Sequence, residues 1–472
     1  MKQDPLIERL REIVGEAGLI TDPVEMAPYL EERRGLFQGH ARALVKPASL
    51  AEVSAVMTLA YETNTHVVPQ GGNTGLVGGQ MPRAEDHAIL LNLSRLNKVR
   101  AVDPANNTVS VDAGVTLAHL QSVAEEADRL FPLSLASEGT CQIGGNLSSN
   151  AGGTAVLRYG NARDLVLGIE IVLADGRIWD GMRALRKDNT GYDLKQLFLG
   201  SEGTLGIITG AVLKLFPRPR SKAVAFVAVP TPAAAVSLLR LVEAMSFGAV
   251  TSFELMPRIG IEMVTRHVPG TRDPLDTPHD WYVLIELSSG DEGDVLTERL
   301  EAILGDGLAQ GLLLDATLAR SDAQAKALWH VREAMSDAQR HEGGSIKHDI
   351  SVPVSEIALF LERALTLVCA EMPGIRPVPF GHIGDGNIHF NLSQPVDMDE
   401  AGFLDQRSHF NELVHTIAVE LGGSISAEHG IGQLKRDELK RRKSPVEIDL
   451  MRALKDALDR KGLLNPGKIL KD

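Results

Sequence analysis

The run HVVPQGGNTGLVGGQ, residues 66–80, decides how the N-terminal half of this chain is read. His66 to Pro69 read as a short strand, which opens straight into five glycines within nine positions: Gly71, Gly72, Gly75, Gly78 and Gly79. Two more clusters follow, five glycines between 139 and 153 (Gly139, Gly144, Gly145, Gly152, Gly153) and four between 200 and 210. The 472 residues include 45 glycines, where an ordinary usage of about 7% gives roughly 33. The three clusters hold about the whole surplus. Clustered glycines let successive backbone N–H groups turn into one concavity with no Cβ atoms in the way, which suits a pyrophosphate. Any one cluster reads equally well as a tight turn. Asn73, Thr74, Ser148, Ser149 and Asn150 add neutral donors, and with no basic residue nearby the backbone amides are left to hold the anion. No GxxxxGK[ST] is found, and no GxGxxG follows the first strand, so neither a P-loop nor a dinucleotide-binding Rossmann unit is supported.

Outward from this run, helices and strands mix. Leu6, Ile7, Leu10, Ile13 and Val14 fall at helical spacing before Gly18, and a second helix is expected from Leu50 to Glu62. Ala88 to Leu93 and Thr108 to Asp112 read as strands, and Thr116 as the N-cap of a helix reaching Arg129. Leu165 to Leu173 turns back at Asp175-Gly176 as a hairpin. Past Pro217 and Pro219 the glycine clusters thin out and a new strand runs from Ala223 to Val229, so a domain boundary is expected near 219. A last helix carries Leu450, Leu454, Ala457 and Leu458 on one face and stops by Gly462.

Composition narrows the function. Apolar residues make up 44% and charged residues 23%, which fits a chain with a sizeable core. A net charge of −14 argues against nucleic acid or an anionic membrane as the main partner. Cys141 and Cys369 are the only cysteines, too few for a disulfide framework. The N-terminus has neither the apolar core of a secretory signal nor a membrane span, so a cytoplasmic location is expected.

Two polar runs stand out in the C-terminal half. GHIGDGNIHFN, residues 381–391, centres on Asp385-Gly386, and a two-residue turn there sets His382 opposite His389 on one face. Two such imidazoles suit a divalent metal, with a third ligand available from Ser426-Ala427-Glu428-His429-Gly430, although an imidazole in an apolar setting is more often a satisfied core group. Trp329 to Ser336 reads as a helix and Ser345 to Ser351 as a strand. They bring Arg332 and Lys347, candidates for the local positive charge an anionic ligand needs, against the commoner reading of solvated cations.

These runs carry a resemblance. PQGGNTGLVGGQ (Pro69 to Gln80), PLSLASEGTCQIGGNLSSNAGG (Pro132 to Gly153) and RKDNTGYDLKQLFLGSEGTLGIIT (Arg186 to Thr209) are similar to the FAD-binding domain of vanillyl-alcohol oxidase / p-cresol methylhydroxylase flavoproteins, and the C-terminal runs resemble their D-2-hydroxyacid dehydrogenase branch. Within that branch the chain looks most like the group that oxidises D-2-hydroxyglutarate. The resemblance implies an α+β fold: an FAD-binding domain over 1–218, an α+β substrate (cap) domain over 219–424, and a C-terminal segment, 425–472, that packs back on the FAD domain and active site. It implies FAD contacts at Pro69, Gly71, Gly72, Asn73, Thr74, Gly75, Gly78 and Gly79, then at Pro132, Gly139, Gly144, Gly145, Asn150, Gly152 and Gly153, and finally at Gly206, Ile208 and Asn465. No His lies in the three FAD runs, so non-covalent FAD is expected.

By the same resemblance a divalent metal, zinc foremost with manganese, cobalt or iron also accepted by such ligands, is held by His382, His389 and Glu428. His429 is the general base, since an unperturbed imidazole with a pKa of about 6.5 suits proton removal near neutral pH. Arg332, Ser336, Lys347 and Asn391 contact the substrate, with Ser336 standing where the family has Thr. The implied reaction is oxidation of a small anionic 2-hydroxy acid, D-2-hydroxyglutarate to 2-oxoglutarate, with D-lactate, D-malate or glycolate as rival substrates. Electrons then pass to electron-transfer flavoprotein or a quinone, since no haem or iron–sulfur motif is present. A flavin subunit relaying electrons in a larger oxidase complex is the rival of another class. No membrane span and no nucleic-acid partner are expected, and a homodimer fits the reading.

Overall fold

The computed structural model describes residues 4–471. The chain divides into two compact units, Met1–Gly153 with Gly160–Arg218 and Glu428–Asp472, and Thr154–Tyr159 with Pro219–Ala427. Apart from the excursion Thr154–Tyr159, the chain crosses from the first unit to the second at Arg218/Pro219 and re-enters the first at Glu428, three residues beyond 425.

Among the described residues the first unit holds a two-stranded sheet, Phe216–Pro217 on Arg129–Leu130, and two larger ones. One has the strand order Leu19–Ile20, Leu44–Val45, Ile89–Asn92, Val67–Gln70, the last three parallel. Helix Leu50–Thr63 links Leu44–Val45 to Val67–Gln70, capped by Ser49 Oγ on the Glu52 N–H at 3.2 Å and closed by Asn64 in the left-handed region. Its Val53, Val56, Met57 and Ala60 pack on Val45, Val67, Ile89 and Leu91 of the sheet. The other sheet is antiparallel, ordered Val99–Asp103, Thr108–Asp112, Ile207–Lys214, Val166–Val172, Ile178–Gly181, and includes the hairpin expected at Asp175-Gly176.

The second unit is built on one antiparallel sheet. Its order is Asp315–Leu318, Ser221–Val229, Trp281–Ser289, Val250–Pro257, Arg376–His382, Asn387–Ser393, Ser345–Ile346, with Ile350–Ser351 also on Asn387–Ser393. Strand Ser221–Val229 explains the architecture. Its Ala223, Ala225, Val227 and Val229 enter one apolar cluster with helices Pro232–Ser246, Val295–Ala309 and Ile357–Glu371. Its Val224, Phe226 and Ala228 enter a second cluster with helices Arg258–His267 and Asp322–Glu333. Side chains alternate across a strand, so a run apolar at every position is a strand covered on both faces.

Two local expectations are corrected. Phe380, not His382, stands opposite His389, because the connection runs from 383 to 386 rather than through two residues. The slip is by two residues, so both imidazoles keep the same face; a slip by one would have turned them apart. The strand expected over Ser345 to Ser351 forms only at its two ends, with Lys347 to Asp349 between them off the ladder.

Candidate active site

In the first unit, strand Val67–Gln70 ends where the first glycine run begins, and the second run forms the short helix Ile143–Ser148. Between them lies a cavity of about 330 Å³, lined by Pro69, Gly71, Gly72, Asn73, Thr74, Gly75 and Gly79 from the first run and by Gly144, Gly145 and Gly152 from the second. Gly206 and Ile208 complete it from the third run, and Glu428 and His429 border it from the C-terminal segment. Gly78, Pro132, Gly139, Asn150, Gly153 and Asn465 lie off this lining.

The glycines do different jobs. A Cβ on Gly72 would strike the backbone of Thr140, and one on Gly144 would meet Ala113 Cβ at 2.7 Å, so these two let backbones approach one another. A Cβ on Gly145 would meet nothing within 4 Å. That open space over amide-rich backbone fits an extended cofactor with a diphosphate. Asn150 and Asn465 hold backbone: Asn150 Oδ1 accepts from Arg163 N at 2.9 Å, and Asn465 Nδ2 donates to the carbonyls of Gly79 and Glu202 at 2.9 and 2.7 Å.

Arg33, Gln142 and Glu202 are among the cavity residues that lie outside the expected set. Arg33 lines the space, so a cation is at hand after all; it sits in an ordinary charged run, Glu31 to Arg34, that gives no signal. Gln142 stands at the start of the short helix. Glu202, in the SEG turn of the third run, accepts backbone N–H groups of Ile431 and Gly432 at 2.7 and 2.8 Å, and burial raises its pKa. It thereby pins the loop just after His429. Glu428 is fixed from the other side, its Oε1 accepting from Gly153 N at 2.6 Å, and a side chain on Gly152 would collide with this carboxylate.

In the second unit the polar residues share one sheet face. On strand Asn387–Ser393, Ile388, Phe390 and Leu392 enter the first cluster, which leaves His389 and Asn391 on the other face. Glu254 pairs in register with His382. Its Oε1 accepts from His382 Nδ1 at 2.6 Å, and its Oε2 accepts from Arg332 Nε at 2.9 Å and forms an ion pair with Nη2 at 2.8 Å. Burial alone raises the Glu254 pKa, but His382 and Arg332 together outweigh it and hold the carboxyl at about 2. The Arg332 guanidinium also lies 4.8 Å from the Phe380 ring centre.

The two imidazoles stand edge to face with ring centres 5.7 Å apart, and a nitrogen of each lies within 4.8 Å of one on the other. His389 Nδ1 is 3.8 Å from the buried Asp349. Borderline nitrogen donors backed by carboxylates are the donor chemistry of a zinc-class site. Lys347 Nζ donates to Ser336 Oγ at 3.1 Å, one helical turn beyond Arg332, so three of the four expected substrate residues gather here. Asn391 donates to Gln339 Oε1 at 2.8 Å in a buried pair. Sequence reading overlooked Glu254 and Asp349; a charge inside the apolar run VTSFELMP was the available signal for the first.

Comparison with known proteins follows the same division. Residues 218–469 match the family "FAD linked oxidases, C-terminal domain" and residues 41–181 the family "FAD binding domain". The chain is 36% identical over 469 residues to the mitochondrial D-2-hydroxyglutarate dehydrogenase of Arabidopsis thaliana, covering 98% of this chain and 81% of that one. It is 37% identical over 458 residues to the mitochondrial enzyme of the same name from Rattus norvegicus, covering 96% and 82%. Its fold is similar to that of p-cresol methylhydroxylase with substrate bound, with a TM-score of 0.77 at 17% identity over 99% of this chain and 96% of that one. The expected cytoplasmic location is corrected by these relatives, since the plant and animal proteins are named mitochondrial. A missing apolar core excludes only a secretory signal, because segments that direct import into mitochondria are amphipathic and Arg-rich. No described helix is long and apolar enough to cross a membrane. With its flavin-type cradle, its two-unit fold and 36–37% identity over nearly its full length to dehydrogenases, the chain belongs to the FAD-linked oxidase family and is an FAD-dependent hydroxyacid dehydrogenase.

Proposed function

We propose that this chain oxidises D-2-hydroxyglutarate to 2-oxoglutarate with metal assistance and hands the electrons to an external acceptor, electron-transfer flavoprotein or a quinone. The observation that carries the substrate is Lys347 Nζ on Ser336 Oγ at 3.1 Å, one turn from Arg332: two cations and a hydroxyl that suit a second carboxylate. Bound FAD supplies the hydride acceptor, and a divalent cation, zinc foremost, lowers the pKa of the substrate hydroxyl. His382, His389 and Glu428 form the ligand set, with the His382 Nδ1 proton directed to Glu254 and Nε2 as its ligating nitrogen. His429 takes the proton of the 2-hydroxyl as C2 gives up hydride. Arg332, Ser336 and Lys347 bind the distal carboxylate, and Asn391 lies against the substrate. The Nε and Nη2 groups of Arg332 already serve Glu254, so Lys347 carries the larger share of that recognition.

Lys347→Ala is therefore expected to lower kcat/KM for D-2-hydroxyglutarate roughly 10- to 150-fold, the worth of one charged hydrogen bond, with far less effect on D-lactate. Equal losses on both substrates would remove Lys347 from the specificity argument. The reaction itself is tested by anaerobic titration of the yellow protein with D-2-hydroxyglutarate, D-malate and D-lactate, with and without chelator, following flavin absorbance near about 450 nm. Bleaching that ignores the chelator sinks the metal-assisted mechanism, and preferential bleaching by D-lactate sinks the dicarboxylate substrate. The cradle has its own test. Gly145→Val fills the open space and is expected to weaken FAD about 5- to 150-fold, the range that overpacking gives, read as flavin-to-protein ratio after dialysis. An unchanged ratio would move the flavin elsewhere.

A further inference from the structure

We propose that Glu254 is a positioning residue that fixes both the tautomer of His382 and the bearing of Arg332, tying metal affinity to recognition of the distal carboxylate through one buried side chain. This rests on the ligand and substrate roles proposed above for His382 and Arg332.

Donors and acceptors match one for one. Glu254 is fully buried and offers two oxygens; Oε1 meets the imidazole at 2.6 Å, and Oε2 accepts from the guanidinium Nε at 2.9 Å, with Nη2 2.8 Å away in the same ion pair. An ionised carboxylate cannot donate, so the Nδ1 facing it carries the proton and the neutral ring keeps its lone pair on Nε2. A ligating histidine is commonly oriented this way, with a carboxylate on its second nitrogen. His389 has a similar arrangement in looser form, with the buried Asp349 3.8 Å from its Nδ1. The guanidinium is steered in the same manner: with its Nε and Nη2 groups given to Glu254 and its plane near Phe380, only the remaining edge can turn to a ligand.

The backbone makes the arrangement rigid. Glu254 and His382 are cross-strand partners, so their separation is set by the sheet, and Arg332 descends from a helix packed on the same face. Glu254 stands 128 residues from His382 and 78 from Arg332, and it joins them only in the folded unit.

An amide has one acceptor where the carboxylate has two. In Glu254→Gln the Arg332 fork takes the single oxygen, the NH₂ group faces His382, and the ring must then accept at Nδ1 and carry its proton on Nε2, the ligating nitrogen. Holoprotein with FAD retained is stripped of metal and titrated with Zn²⁺ against a chromogenic competitor. Glu254→Gln is expected to bind Zn²⁺ about 10- to 100-fold more weakly than wild type, while affinity within about twofold of wild type overturns the proposal. Glu254→Asp, which keeps both acceptors, is expected to recover most of the affinity; recovery no better than Gln counts against the account.

A merely structural Glu–Arg pair would change stability but not the imidazole, so the second readout is spectroscopic and uses the wild-type chain. In ¹⁵N-histidine-labelled, metal-free protein, with His382 assigned by its loss in His382→Asn, the Nδ1–H tautomer is expected; Nε2–H overturns the proposal even if the Gln variant does not fold. Wild-type protein that takes up no stoichiometric Zn²⁺ overturns the underlying ligand reading and the inference with it. Wild-type uptake with an unchanged Glu254→Gln overturns the inference alone.

Discussion

His429→Asn is expected to slow reduction of the bound flavin by a 2-hydroxy acid about 10²- to 10⁴-fold while leaving FAD in place, the range lost when a positioned general base is removed. Asparagine keeps a planar polar group of similar reach but cannot take a proton at neutral pH. The substitution is also clean structurally, because the loop is held by its neighbours. Glu428 is anchored on Gly153 N at 2.6 Å, and the N–H groups of Ile431 and Gly432 are held by the buried Glu202. Removing the imidazole therefore leaves the backbone at 428–432 where it was. Single-turnover mixing with substrate under anaerobic conditions reads the step directly. Flavin reduction at close to the wild-type rate would make His429 a lining residue only, and loss of flavin from the variant would assign it to cofactor binding instead.

The same loop illustrates what the sequence could and could not reveal. Glycine clusters are local, and a cavity bordered by three of them was visible in the string because each contributes its own backbone. The run Ala223 to Val229 likewise announced a strand, and the structure adds that both of its faces are covered. Glu202 and Glu254 were not visible as site residues. Each reaches its partners across a long stretch of chain, 229 residues to Ile431 in one case and 128 to His382 in the other, and only the fold makes them neighbours, through loop contact for Glu202 and sheet register for Glu254. Arg33 belongs to an ordinary surface run of charges, and no periodicity distinguishes it from Arg34. The His382–His389 hairpin was half legible: an Asp-Gly pair marks a turn, but turn length fixes register, and residues 383–386 form a wider connection than two residues. The shared face survived because the error was an even number of residues.

Arg332→Met is expected to destabilise the second unit by about 3–5 kcal/mol, the cost of leaving a buried charge without its partner. At roughly 2–4 °C per kcal/mol for a domain of this size, its melting transition should fall by about 6–20 °C. Methionine replaces much of the buried aliphatic stem, so the loss comes mainly from Glu254, which is fully buried and would face only His382. The opposing terms set the size. Burial by itself raises the carboxyl pKa, and His382 and Arg332 together bring it down to about 2; removing the guanidinium leaves the burial penalty largely uncompensated. The decisive comparison is the double variant Arg332→Met with Glu254→Gln. If the loss is that of an orphaned charge, neutralising Glu254 in the Arg332→Met background should raise the melting transition, although the same change in the wild-type background removes an ion pair. A double variant that melts lower than Arg332→Met would place the cost in lost packing against Phe380 instead, and a single variant within about 2 °C of wild type would mean that Glu254 is not held as an anion at all.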